Sequence, residues 1–117
     1  IELTRHLSHA NFQHLYRRAV ILAFATWDEG VGSPVLEAMA YGGPWSTSNR
    51  SALPEVAGEA ALLVNPYDVE ELRSALLTLM DDADLRAKLA REGRERAAQF
   101  PWSRAVEATH RVYQELV

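Results

Sequence analysis

The sequence predicts an α/β fold: a parallel, Rossmann-like sheet of about four strands flanked by helices, built from residues 1–117 as a single domain. Three observations predict it. Short, continuous apolar runs, AVILAFA (19–25) and AALLV (60–64), have the pattern of strands buried on both faces. Segments with helical apolar spacing separate and follow them, so strands and helices alternate. The punctuation falls between them as Gly, Pro, Ser and Asn, where tight turns and helix caps need those residues.

The elements follow in chain order. IELT (1–4) is a short candidate strand. Ser8 is placed to cap a helix in which Phe12, Leu15, Tyr16 and Ala19 recur at i, i+3, i+4 and i+7. The apolar run 19–25 is the next strand, and the loop TWDEGVG leads to Pro34 as first residue of a helix ending at Gly42. PWSTS (44–48) is a weaker strand, and NRSALPEVAG (49–58) a loop with one short helical turn. After AALLV, Asp68 with Glu71 spells a capping box for a helix with Val69, Leu72, Ala75, Leu76 and Leu79 on one face. Asp84 is expected to start another helix, fraying near Gly93. PWSRAVEATHRVYQELV closes the chain as a helix with Trp102, Val106, Thr109, Val112, Tyr113 and Leu116 on one stripe.

Composition narrows the function. The chain has 117 residues, 48% hydrophobic and 24% charged, with a net charge of −4. Its 12 Lys and Arg are scattered, which argues against nucleic acid or an anionic membrane as partner. Without cysteine there are no disulfides or thiolate metal sites, which fits a cytoplasmic setting. No apolar run approaches the roughly 18–20 residues of a membrane span, and the opening residues do not read as a signal peptide. A first residue of Ile1 and a sheet shorter than the usual Rossmann count of about six strands predict that the protein continues upstream.

The chemistry concentrates in WDEGVGSPVLEAMAYGGP (27–44), where seven residues separate Glu29 from Glu37. In an open parallel sheet, ligands sit beyond the carboxyl ends of strands, near helix N-termini. The loop 27–33 lies there, directly after a strand. Gly30 and Gly32 let the backbone turn tightly and approach a ligand. The helix from Pro34 offers a partial positive charge suited to phosphate. Two carboxylates beside an anion site suit hydroxyl groups, so the pattern favours a nucleotide-sugar. Spacing alone leaves the ordinary alternative open: a Gly-rich loop running into a helix whose early Glu complements the dipole.

Those residues also carry a resemblance. EGVGSPVLEAMAYGGP, followed by SNRSALPEVAGEAALLVNPYDVEELRSALLTLM, resembles the C-terminal, donor-binding domain of GT-B fold, family 4 retaining glycosyltransferases, whose hallmark is Glu, seven residues, Glu. LSHANFQHLYRRA and AAQFPWSRAVEATHRVYQEL extend the likeness over nearly the whole chain. It implies transfer of a sugar from a UDP- or GDP-sugar donor with retention, without metal or other cofactor. It also implies a full enzyme that is cytoplasmic, with peripheral membrane association left open. By that resemblance Glu29 is the catalytic residue and holds donor-sugar hydroxyls, while Glu37 holds the ribose. Gly30, Val31, Gly32 and Ser33 correspond to the loop against sugar and diphosphate, and Pro34 and Val35 open the helix beneath the phosphates. The family's basic diphosphate clamp lies upstream, and its acceptor site and a catalytic-side histidine lie in a separate N-terminal domain. Arg5, Arg17, Arg18 and Arg50 are not at matching positions. The piece alone is therefore expected to be inactive.

The chain departs from the family spelling at Val31 (usually Phe), Ser33 (usually Leu), Tyr41 (usually small) and Pro101 (usually Ser or Thr), and in GGPWSTS, where Val-rich residues are usual. Trp45 is a large volume change, costing about 1–3 kcal/mol unless its surroundings differ. Asp82-Ala83-Asp84 spells D-x-D, but its place between helices makes a cap at Asp84 the better reading. His6, His9, His14 and His110 lack the pairing of metal ligands on one helix face. Asn49-Arg50-Ser51 could border the donor site or form a plain loop. A sheet with an uncovered edge and an apolar terminal helix also predicts self-association as a homo-oligomer, or a structural half-domain without ligand function.

Overall fold

A computed structural model describes residues 2–117. The expected strand over 1–4 does not form: Glu2–Thr4 have no regular structure, and Ile1 lies outside the described residues. Leu3 is 91% exposed, so this segment lacks the buried face and the partner that a strand needs for its backbone groups. Helix α1 (His9–Arg18) begins where expected, with Ser8 Oγ accepting the Asn11 N–H at 3.3 Å. Arg17 and Arg18 occupy its last turn, where cations complement the dipole.

The sheet comprises β1 (Leu22–Phe24), β2 (Trp45–Ser48) and β3 (Leu62–Val64), parallel, in the order β1-β2-β3. Leu22 pairs with Trp45 and Phe24 with Thr47, while Ser46 pairs with Leu62 and Ser48 with Val64. Three strands among the described residues replace the four expected. β1 is shorter than 19–25, and Ala23 is exposed rather than buried on both faces. It is an edge strand, bordered by an apolar cleft of about 240 Å³ where a covering layer would lie. The most polar strand, WSTS, is instead the central and wholly buried one.

Helix α2 (Ser33–Tyr41) starts one residue before Pro34 and ends on Gly42. Short helix α3 (Leu53–Ala57) supplies the expected single turn. Asp68 caps α4 (Val69–Asp81), its Oδ1 accepting the Glu70 and Glu71 N–H groups at 3.0 Å each. On the expected face Ala75 and Leu79 are buried, but Val69 is 76% exposed. α5 (Ala83–Ala97) is capped by Asp82, not Asp84: Asp82 Oδ1 accepts the Leu85 N–H at 2.8 Å. Asp82 ends α4 as well, so a single residue makes the corner between the two helices. Arg86 closes that corner by donating to Leu79 O at 2.6 Å and Met80 O at 2.7 Å, satisfying carbonyls that α4 leaves free.

α5 does not fray at Gly93. That glycine is buried in the middle of the helix, where α5 packs on α2, and a Cβ there would come 3.3 Å from Met39 Cγ. It is a close-approach glycine, not a breaker. Arg96 ties α5 to α3, donating to Val56 O at 3.0 Å and to Glu55 O. The core so formed gathers Val35, Ala38, Met39, Trp45, Leu53, Val56 and Ala57 between α2, α3 and β2.

α6 (Trp102–Leu116) follows Pro101, without a side-chain cap, and buries none of its residues. Its stripe is the expected one, but it faces solvent: Trp102 is 86% and Leu116 77% exposed. Among the described residues no helix is long and apolar enough to cross a membrane.

Candidate functional site

The carboxyl ends of the three strands open into loops 25–32, 49–52 and 65–68, and hydroxyl groups hold the first two together. Thr26 and Ser48 bond in both directions: the Thr26 N–H donates to Ser48 Oγ at 2.8 Å, and Ser48 Oγ donates to Thr26 O at 2.6 Å. Thr47 Oγ1 donates to Phe24 O at 2.9 Å. Two of the buried hydroxyls of β2 therefore find partners at the end of β1, which is how so polar a strand sits at the centre.

Ser51 anchors the loop around Glu29. Its Oγ lies 2.6 Å from both Asp28 Oδ1 and Glu29 O, so its single proton serves one at a time, and it accepts the Glu29 N–H at 3.2 Å. The Glu29 N–H also reaches Asp28 Oδ1 at 3.0 Å. Ser51 has φ 57, the left-handed region that non-glycine residues seldom adopt. That conformation costs about 1 kcal/mol, which these bonds offset.

Beyond Glu29, Gly32 has φ 75 and crosses directly over Leu53, where a Cβ would come 2.5 Å from Leu53 Cδ2. Only glycine fits both the conformation and the space. Gly32 O accepts the Val35 N–H at 2.9 Å and so starts α2. Pro34 has no N–H to offer. The N–H groups of Gly30, Val31 and Ser33 have no acceptor among the described residues, and all three residues are exposed. A run of free N–H groups at a loop-to-helix junction favours an anion.

Glu29 is half-buried, and Glu37 exposed, one turn into α2. Neither carboxylate has an ion-pair or hydrogen-bond partner among the described residues. Glu37 makes itself felt toward α1: burial first, then its charge and Tyr41, raise the Tyr16 phenol above its ordinary pKa. Glu29, by contrast, is held from the side of Ser51.

Sequence reasoning sets Asn49-Arg50-Ser51 at the border of the donor site or in a plain loop and gives its side chains no role. Ser51 and Ser48 fix the loop around Glu29 and Thr26, a role legible only as hydroxyls clustered after a strand. Trp27, Tyr67 and Arg50, one from each carboxyl-end loop, form a stack: the Trp27 and Tyr67 rings lie 6.1 Å apart at 7°, and Arg50 Cζ sits 5.1 Å from the Tyr67 centroid. Asp82, of the D-x-D spelling, is the cap described above, and no group of three or more potential metal ligands occurs among the described residues. His9 and His110 instead pair with Gln13 and Gln114 along their own helices.

A family profile described as "Glycosyl transferases group 1" matches residues 1–96. The chain belongs to this family. Group 1 glycosyl transferases are family 4, and the chain corresponds to their C-terminal portion, as the resemblance implied. It is 35% identical over 103 residues to the O-antigen chain mannosyltransferase B of Escherichia coli, covering 88% of this chain and 27% of that protein. It is 36% identical over 115 residues to the MMP alpha-(1->4)-mannosyltransferase of Mycolicibacterium hassiacum, covering 95% and 28%. Among solved structures, sucrose-phosphate synthase from Thermosynechococcus elongatus superposes with a TM-score of 0.87 at 28% identity, over 97% of this chain and 29% of that one. The chain thus spans little more than a quarter of the length of these relatives.

Where this group 1 chain departs from the family spelling, its packing has adjusted. Tyr41 stacks on Tyr16 at 5.7 Å and 10°, and Trp45, 2% exposed, lies 6.4 Å from Tyr16. The bulk at Trp45 is thus met by an aromatic cluster between α1, α2 and β2. The adjustment is incomplete, because Trp45 Nε1 and Ser46 Oγ are buried without partners among the described residues.

Proposed function

We propose that the chain supplies part of the donor site of a retaining glycosyltransferase that uses a UDP- or GDP-sugar. The observation that carries this reading is the Glu-x7-Glu motif at the carboxyl end of β1, in a chain of the group 1 family, with free N–H groups between its two unpaired carboxylates. Glu29 accepts hydroxyls of the donor sugar at the reacting end, as the catalytic residue. Glu37 accepts the ribose hydroxyls. Gly30, Val31, Gly32 and Ser33 bring backbone N–H groups to the diphosphate, over the start of α2 at Pro34 and Val35. Carboxylates take the hydroxyls and N–H groups take the phosphates, so like charges stay apart.

The cationic clamp that stabilises the leaving diphosphate, and the acceptor site, belong to the rest of the full enzyme, including an N-terminal domain. The 117-residue chain alone binds nucleotide weakly and transfers no sugar. Isothermal titration of the chain with UDP and GDP tests the donor site. Glu37→Ala is expected to weaken binding of the preferred nucleotide roughly tenfold, the worth of about 1.4 kcal/mol for charge-assisted bonds to the ribose. Equal affinity in wild type and variant, or no binding in either, overturns the assignment.

A second reading has its own observation. α6 presents Trp102, Val106, Val112, Tyr113 and Leu116 to solvent without burying one of them. In it the chain is a self-associating half-domain with no ligand function, and the homo-oligomer pairs the α6 stripes; sedimentation of the chain tests it.

A further inference from the structure

The Trp27–Tyr67–Arg50 stack contributes nothing to the core. Trp27 is 69% and Tyr67 62% exposed, yet their rings are ordered against each other rather than scattered. Tyr67 stacks with the indole and leaves most of Trp27 open to solvent. Trp27 also lines, with Ala25, Thr26 and Asp28, a shallow cleft of about 470 Å³. The cleft is fixed from beneath by the Thr26–Ser48 pair and by the Ser51 anchor of Asp28.

We infer that the exposed indole of Trp27, stacked with Tyr67 and sharing its cleft with Asp28, with Glu29 next in the chain, is a subsite for a pyranose ring. A pyranose is amphipathic in the same sense as this surface: a face of C–H groups and a rim of hydroxyls. The C–H face covers the indole and removes exposed apolar area from water. The rim meets carboxylate oxygens, which are strong hydroxyl acceptors. Asp28 Oδ1 is engaged within the loop, but Oδ2 has no partner among the described residues, and neither Glu29 oxygen has one. A nucleobase also stacks on indole, but Asp28, the carboxylate of this cleft, accepts hydroxyls and repels phosphate. The nearby cation, Arg50, faces the Tyr67 ring. Because the Trp27 and Tyr67 planes are already aligned, little side-chain freedom is lost on binding.

This inference rests on the glycosyl-transfer reading of the neighbouring site, but it is tested without nucleotide. The chain has 3 tryptophans, hence three indole N–H signals in ¹H–¹⁵N spectra, which Trp27→Phe assigns. Methyl α-mannopyranoside and methyl α-glucopyranoside are titrated separately into the whole chain. At least one is expected to move the Trp27 indole signal saturably while that of Trp102 stays in place. Trp27→Ala removes the accompanying shift of the Tyr67 amide, and Tyr67→Leu weakens binding severalfold. No saturable shift with either sugar, equal shifts at Trp102, or a Tyr67 response that survives in Trp27→Ala overturns the subsite. So does a Trp27 response to uridine or guanosine monophosphate with none to the pyranosides. Repeating the titration with saturating UDP or GDP identifies the source of the sugar. Loss of the response makes the ring the donor's own, whereas its persistence makes it a second sugar; the subsite stands in both. Pyranoside binding lost with nucleotide binding intact removes this inference alone, and the reverse pattern removes the donor site alone.

Discussion

At the residue scale, Tyr16 shows how a departure in one helix is absorbed in another. It is 8% exposed, in edge contact with Phe12 at 4.5 Å, stacked on Tyr41 and close to Trp45. Its phenol is raised above 10.0 by burial first, and then by Glu37 and Tyr41. The unfolded chain ionises its tyrosines near the ordinary value, whereas the folded chain resists ionising this one. The stabilisation linked to Tyr16 is therefore fully present below pH 10 and is lost as pH rises through the folded value. Urea midpoints of wild type are expected to fall more steeply than those of Tyr16→Phe above pH 10, and to run parallel to them at neutral pH. Parallel midpoints throughout would mean that Tyr16 is not buried against Glu37. Residue types alone announced Glu29 and Glu37, because a motif spells them. They did not announce Ser48 and Ser51, whose role appears only when two loops 22 residues apart in sequence meet.

At the element scale, what was legible followed local chemistry, and what was missed followed tertiary contact. Ser8, Gly42 and Asp68 end or start helices where their side chains or backbone freedom dictate, and these were readable. WSTS reads as a weak strand because hydroxyls compete for the backbone. It is the central strand because Thr47 and Ser48 spend those hydroxyls on carbonyls around β1. Glycine carries the same ambiguity. Gly93 looks like a breaker in sequence but is the contact point of α5 on Met39. Gly93→Ala is expected to be nearly neutral, since about 1 kcal/mol of helix propensity offsets the crowding of a flexible Met side chain. Gly93→Leu pushes branched bulk toward the α2 backbone and should cost about 2–3 kcal/mol. Denaturant unfolding with unchanged slope measures both. Equal tolerance of Ala and Leu would show that α5 does not approach α2 so closely.

At the scale of the whole molecule, apolar surface is divided unevenly. The core lies among α2, α3 and β2, while α6 carries a full apolar stripe and buries none of it. The sequence made the stripe plain by its periodicity, but periodicity cannot say whether the covering surface lies in the same chain. Burying a side chain such as Leu116 or Val106 stabilises by about 1.5–3 kcal/mol, so several together outweigh the cost of pairing two helices. The 117-residue chain is expected to sediment as a dimer at tens of micromolar. Val106→Asp with Tyr113→Ser should return it to monomer with the unfolding midpoint of the β-sheet core unchanged at low concentration, because α6 supports little of that core. A monomeric wild type at those concentrations would remove the self-association reading. If dimer formation and UDP or GDP binding occur together and Glu37→Ala removes only the latter, association and donor binding use separate surfaces. That outcome is expected, since the motif runs into α2, whereas α6 buries none of its residues against the rest of the described chain.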